Sequence, residues 1–272
     1  MLFRSLGLCT DARPEVRVGA IQTLFRTLQL YGATLSLDTW DECIWKVTFP
    51  LLDSITASIR RSSAVAPSDE VSTTATATAA DAPDLQWGES KILALQSIGS
   101  IFQDFLTTKI MLLESFTRAW EVFVGHIQDS WLHDNRSITA PALRCLEKAI
   151  KSFSAAEQLK ARTMEALEIA WRACDTMGGA VLEQGQSSPG TTVPGSNNTD
   201  VKPLTQESLM AYVDVIRCTR SVGRELRDSE WPLERLTRLM VILKGSLIPH
   251  WLLCPDMKGI SRCFDVPQFP GL

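Results

Sequence analysis

The sequence predicts an all-α protein, an α-solenoid of about four antiparallel helix pairs with two disordered polar insertions. Three observations lead there. Apolar residues recur every three or four positions along most of the 272 residues, and strand-like alternation is nearly absent. Two stretches, 62–86 and 178–203, are dominated by small, polar and turn-forming residues, a composition that cannot bury enough apolar surface to offset its ordering entropy. The remaining sequence falls into helical pairs of roughly 45 residues each, within the span of stacked helix-pair repeats.

The first helix runs from Pro14 to about Leu30, with Val16, Ala20, Leu24 and Leu28 on one face and Arg17, Gln22, Arg26 and Gln29 elsewhere; Gly32 ends it. Thr39 and Glu42 read as a capping box. The helix they open passes through Ile44, Val47, Leu51, Leu52 and Ile55 to about Ile59, and Pro50 inside it predicts a kink because proline lacks a backbone donor. After the 62–86 linker, order resumes near Trp87. Ile92, Leu95, Ile98, Phe102 and Phe105 form one stripe; Leu113, Phe116, Trp120, Phe123 and Ile127 form the next. The polar corner His133–Arg136 leads into Ile138, Ala142, Cys145, Ala149 and Phe153. Ser154 with Glu157 gives a second capping box, followed by Met164, Leu167, Trp171 and Cys174 until Gly178–Gly179 stop the helix. Two further helices are expected at about 204–227 and 232–248, the latter with Pro232 in its first turn.

The resulting division is 1–61, first pair; 62–86, linker; 87–177, central repeats; 178–203, linker; 204–248, last pair; 249–272, irregular tail. A closed bundle could use the same amphipathic pairs. The stack is preferred because Asp11, Val16, Arg17 and Ala20 stand in the Asp…Val-Arg…Ala arrangement typical of the second helix of a HEAT unit. The solenoid is therefore read as HEAT/armadillo-like.

Composition narrows the function classes. A net charge of −4 does not suit a nucleic-acid binder, which usually carries a strongly basic face. The 7 cysteines are odd in number and irregularly spaced, which suits buried reduced thiols in a cytosolic protein and not a disulfide framework. The first residues lack the pattern of a cleaved signal. The most apolar run, Leu239–Cys254, is broken by Lys244, Pro249 and His250 and is too short to span a bilayer.

Motifs of catalysis and nucleotide binding are missing, and the glycines from Gly185 to Gly195 lie in polar linker. His250, Cys254 and Cys263 lack paired Cys-x-x-Cys spacing and read as ordinary tail residues, so no metal or cofactor is expected. His133 beside Asp134 and Asn135 reads as a polar turn before it reads as a catalytic pair. The chain is expected not to be an enzyme. Asn135-Arg136-Ser137 and Asn197-Asn198-Thr199 match the glycosylation sequon by chance.

Two features point to binding. Arg217, Arg220, Arg224 and Arg227 recur at helical spacing and line one face, with Arg235 and Arg238 on the next helix. That stripe could meet anionic lipid or an acidic partner. The plainer reading, a solvated face, is preferred because Asp228, Glu225, Glu230 and Glu234 lie close by. Trp40 and Trp45, five positions apart, cannot both point squarely into one core, which leaves one of them as a candidate interface anchor.

Three segments carry a resemblance: Asp11–Leu28, Thr39–Asp53 and the run Trp87-Gly-Glu-Ser-Lys-Ile-Leu-Ala-Leu-Gln. Together they closely resemble the C-terminal half of the Mon-two family in its fungal form, strongly over 6–175 and more softly over 204–248. That family comprises large endosomal and Golgi peripheral membrane proteins related to the large Arf guanine-nucleotide exchange factors but lacking their catalytic exchange domain. The resemblance implies a non-enzymatic scaffold segment in traffic between endosomes and the Golgi, with a Dopey-family protein and an aminophospholipid flippase as partners. It also leaves room for Arf GTPases as partners and for regulation of Arf exchange, and it supplies no catalytic residues. The chain begins within the repeat array, as a piece of a longer protein would. From Ser246 to Leu272 it departs from the family pattern, which is expected to leave Leu247, Ile248, Trp251 and Leu252 exposed.

Overall fold

The computed structural model describes residues 2–64, 83–133, 136–153, 159–186, 205–227 and 231–252. Among them no strand occurs, and ten α-helices follow one another. They are α1 (Leu2–Cys9), α2 (Pro14–Tyr31), α3 (Leu37–Cys43), α4 (Phe49–Ala64), α5 (Pro83–Phe105), α6 (Phe116–His133), α7 (Arg136–Ser152), α8 (Lys160–Gln186), α9 (Gln206–Arg227) and α10 (Leu233–Leu252). The chain divides into two compact units, one of Met1–Cys174 with Leu204–Glu230 and the other of Asp175–Pro203 with Trp231–Leu272.

The first unit is a two-layer stack. Helices α2, α5, α7 and α9 are neighbours in that order in one layer. Helices α4, α6 and the first half of α8 form the other, joined by Arg60 to Asp129 and by Trp120 to Ala166. Partners rise together along both chains, so helices of one layer run parallel. Hydrogen-bonded residues of α6 and α8 lie 46 and 48 positions apart, against 70 and 69 for the contacts from α3–α4 to α6. Contacts of α7 with α9 are again 70 and 71 positions apart. The shorter spacing is the repeat itself; the longer one contains a polar insertion, between α4 and α5 or between α8 and α9. Layer neighbours approach closely where side chains are small: a Cβ on Gly99 of α5 would lie 3.2 Å from the Cys145 sulfur of α7.

The core follows the predicted stripes, including Leu95, Ile98 and Phe102 of α5, Phe116, Trp120 and Phe123 of α6, and Cys145 and Ala149 of α7. Helix α2 departs from expectation. Its buried face is Arg17, Ile21, Leu24, Phe25 and Leu28, so it is turned to bring the arginine inward and leave Val16 and Ala20 half-buried. The reason is a dense set of partners. Arg17 Nε donates to Ser90 Oγ at 2.7 Å, Nη1 to the carbonyls of Asp11 and Ala12 at 2.8 and 3.2 Å, and Nη2 to that of Gln86 at 3.2 Å. The guanidinium also stacks 3.8 Å from the centre of the Trp87 ring. Asp11, its neighbour in the HEAT-like pattern, pairs instead with Arg13, which holds its carboxyl down at about 2.

Several boundaries are corrected. The cap of α3 is Ser36, whose Oγ accepts from Thr39 N at 3.2 Å, so the helix starts before the predicted Thr39 box; Glu42 pairs with Lys46 at 2.6 Å. Ahead of Pro50 the backbone becomes π-helical over Ile44–Thr48, with the Phe49 N–H reaching back to Ile44 O. That change of hydrogen-bond register lies immediately ahead of Pro50, within a helical run that continues from Leu37 to Ala64, and accommodates the residue that has no N–H to give. Gly32 does follow α2, but its φ is −58°, so no left-handed conformation requires it. An added Cβ there would lie 2.8 Å from atoms of Phe105 and Trp40, and this close approach is what selects glycine.

Both linkers are shorter than predicted. Helix α4 continues through Ala64 and α5 begins at Pro83, so the ends of 62–86 are helical. In the second unit, Gly178 and Gly179 do not stop α8, which runs to Gln186. Glycine inside a helix costs only about 1 kcal/mol, and here it makes room: a Cβ on Gly179 would lie 3.2 Å from Arg238 Nη2, whose Nε donates to Asp175 at 2.8 Å. Pro249 lies within α10, which extends to Leu252. The remaining linker positions 65–82 and 187–204, the Ser154–Glu157 box and the tail from 253 lie outside the described residues.

Arg17 yields a direct test. Arg17→Ala removes a donor shared by three part-buried carbonyls and the buried Ser90 hydroxyl, and is expected to lower unfolding free energy by about 3–5 kcal/mol in urea titration followed by circular dichroism. Arg17→Lys should recover part of the loss, because a single ammonium cannot span the same set of acceptors.

Candidate partner-binding surface

The two tryptophans are held in different ways. Trp40 is 1% exposed: its indole N–H donates to Gly32 O at 2.9 Å and its ring packs 5.2 Å from Phe105. It lies in the core. Trp45 is half-buried. Its ring packs edge-on against Phe49, its N–H donates to Ser115 Oγ at 3.1 Å, and Ser115 in turn donates to Asp41. The Arg118 guanidinium lies 4.9 Å from the Trp45 ring centre, so of the pair Trp45 is the one that borders solvent.

The arginine stripe lies on α9. Arg217, Arg220 and Arg224 are all exposed, while the Arg227 side chain lies outside the described residues. Arg217 does not act alone. Its Nη1 donates to Asp214 at 3.2 Å, Asp214 accepts from Arg144 of α7 at 2.7 Å, and Arg144 also reaches Glu147 at 2.8 Å. Glu147 completes the chain by accepting from Lys151 at 2.7 Å. The acidic residues are the sheltered members: the side chains of Glu147 and Asp214 are 12% and 26% exposed, against 63% for Lys151 and 75% for Arg217.

Burial opposes ionisation of Glu147, but the hydrogen bonds from Lys151 and Arg144 outweigh it and hold the carboxyl below its ordinary range. The same contacts push Lys151 and Arg144 upward. All stay charged near neutral pH.

Sequence reasoning missed the α7 half of this surface. Arg144, Lys148 and Lys151 carry the same four- and three-residue spacing that marked α9 and would have been found by the same search. What spacing alone does not give is that the two rows are adjacent, since 70 residues separate Arg144 from Asp214.

The other sequence candidates do not assemble into a site. His133 Nδ1 contacts Asp129 at 2.9 Å, and Asp129 also accepts from Arg60 at 2.8 Å. Asp134, Asn135, the side chain of His250, and Cys254 and Cys263 lie outside the described residues. Among the described residues no group of three or more His, Cys, Asp or Glu side chains is placed to hold a metal. Cys9, Cys43, Cys145, Cys174 and Cys218 are buried free thiols; burial pushes Cys145 up to about 12 and Cys9 and Cys218 to about 11. No helix among the described residues is long and apolar enough to cross a membrane.

Residues 1–194 match the family model described as the C-terminal region of Mon2 protein. The Homo sapiens protein MON2 homolog is 35% identical over 160 residues, 56% of this chain and 9% of that protein. The Drosophila melanogaster homolog is 33% identical over 154 residues, 54% of this chain and again 9% of the relative. A more distant likeness, 36% over 107 residues, is to the Brefeldin A-inhibited guanine nucleotide-exchange protein 2 of Arabidopsis thaliana, covering 39% of this chain and 6% of that protein. The chain thus matches only a small fraction of the length of these relatives. No solved structure matches.

The Glu147 network has a pH signature. A carboxyl whose folded pKa is depressed stabilises the fold above its unfolded value and loses that contribution as pH falls through the folded one. Glu147→Gln is therefore expected to cost about 1–3 kcal/mol at neutral pH. The difference from the native chain should close on acidification below the ordinary glutamate range, measured as paired thermal melts across pH.

Proposed function

The chain belongs to the family of Mon2 C-terminal regions, and from that premise we propose that it is a non-enzymatic scaffold segment which binds partner proteins at a membrane surface during traffic between endosomes and the Golgi. The observation that carries this reading is the family match over residues 1–194. The fold supports it physically. Parallel rows of helices stacked through small-residue contacts present long exposed flanks, and polar insertions within a repeat leave the stacking register intact. Membrane attachment on this reading comes from partners and from the longer proteins of which such regions form part.

The proposed partners are a Dopey-family protein and an aminophospholipid flippase. Tagged full-length chain, incubated with cytosol and detergent-solubilised membranes and read by mass spectrometry, is expected to recover them specifically. Helical, folded bait that captured neither these nor Arf machinery would overturn the scaffold reading and leave the segment a spacer.

The likeness to a guanine nucleotide-exchange protein favours a second reading, regulation of Arf exchange. It predicts that adding the chain to an Arf protein and its exchange enzyme changes the rate of nucleotide release followed by fluorescence. An unchanged rate at saturating chain would dismiss it.

A further inference from the structure

Helices α7 and α9 lie side by side and parallel, and their exposed flanks hold two basic rows in one surface. On α7 the row is Arg144, Lys148 and Lys151; on α9 it is Arg217, Arg220 and Arg224. Among the described residues, six cations thus share this surface with the carboxylates of Glu147, Asp214 and Glu225, on a chain whose net charge is −4. A local basic face on an acidic protein concentrates opposite charge at one place, and so favours a partner that carries it.

The arrangement within the face selects among anionic partners. Glu147 and Asp214 sit between the rows and hold Arg144 and Arg217 through bonds of 2.7–3.2 Å, so charges of both signs alternate across the surface. A bilayer offers a uniformly anionic plane and meets the sheltered carboxylates as well as the cations. A polypeptide can set its own carboxylates over the cations and its backbone N–H groups over Glu147 and Asp214. The scale also fits. Seven residues of helix rise about 10 Å, parallel axes lie about 8–10 Å apart, and three or four extended residues cover about 10 Å.

We propose that the α7–α9 face is a docking site for a short acidic polypeptide segment, with Lys148, Lys151, Arg217, Arg220 and Arg224 as its contacts and Arg144 with Glu147 and Asp214 positioning the rows. The inference rests on the scaffold reading and names the partner chemistry at one surface. Carboxylates of the segment form charge-assisted hydrogen bonds with the cations, which makes the interaction sensitive to salt.

The test uses the full chain and a fluorescein-labelled glutamate-rich peptide, with a glutamine-for-glutamate peptide of equal length and phosphatidylserine-containing vesicles as separate arms. Fluorescence anisotropy should show binding of the glutamate peptide that weakens as ionic strength rises from about 0.01 to about 0.15 M. The glutamine peptide should not bind. Charge reversal at Lys148→Glu with Arg220→Glu, which leaves the Arg144–Glu147–Asp214 bonds in place, should weaken binding about tenfold or more, while the neutral pair Lys148→Gln with Arg220→Gln loses less. Gln22→Ala with Gln96→Ala, in the groove between α2 and α5, should bind like the native chain, and circular dichroism checks that every variant is folded. Unchanged peptide affinity after charge reversal overturns the proposal. So does capture of the anionic vesicles, but not the peptide, through these same residues, since the face would then read a lipid surface. The two readings fail separately: partners still recovered by charge-reversed bait remove this docking site and leave the scaffold standing, whereas native bait that recovers none removes the scaffold.

Discussion

A buried guanidinium organises the start of the stack. Arg17 is fully enclosed, and its charge could not stay in the interior without the four acceptors and the indole face that surround it. Burial lowers its pKa, the mark of a cation removed from water. Because those acceptors belong both to the turn before α2 and to the first turns of α5, one side chain sets the axial register of two layer neighbours. Apolar contact alone would let them slide.

The same device recurs with other donors further along. Arg162 donates to the carbonyls of Met111 and Leu113, Trp120 to Ala166 O, Lys109 to Leu35 O and Tyr212 to Cys174 O. Each takes a donor from one element to a backbone acceptor of another, and the rings of Trp120 and Tyr212 fill the core as they do so. Between these points the packing is apolar and close, as at Gly99 and Cys145. Both insertions fall in connections between helices of different layers, α4 to α5 and α8 to α9, and the helices of one layer keep their stacking on either side.

Polar chemistry is thereby sorted by depth. Trp120, Tyr212 and Arg17 spend their donors inward on acceptors of other elements, whereas the linked ion pairs of Arg144, Glu147, Lys151, Asp214 and Arg217 lie on the flank of α7 and α9. There the carboxylates are sheltered and the cations are presented, so the surface a partner meets is more basic than the sequence average. Trp45 sits between these classes, tied by its N–H to Ser115 and bordered by Arg118.

The sequence by itself determined the helices, their apolar stripes, the presence of polar insertions and the family, because periodicity, composition and motif are local properties. It also marked Arg217, Arg220 and Arg224 as one row. It placed Arg17 on the wrong face of α2, since hydrophobicity assigns an arginine to water unless its distant acceptors are known. It stopped α8 at Gly178–Gly179 on propensity, a preference of about 1 kcal/mol that packing against a neighbouring side chain exceeds. Tertiary structure alone decided that Gly32 is needed for closeness and not for its backbone freedom, that Trp40 and not Trp45 belongs wholly to the core, and that Arg144 lies beside Asp214. Each depends on a contact between residues distant in the chain or on a neighbour's shape, and such contacts exist only once the helices have stacked.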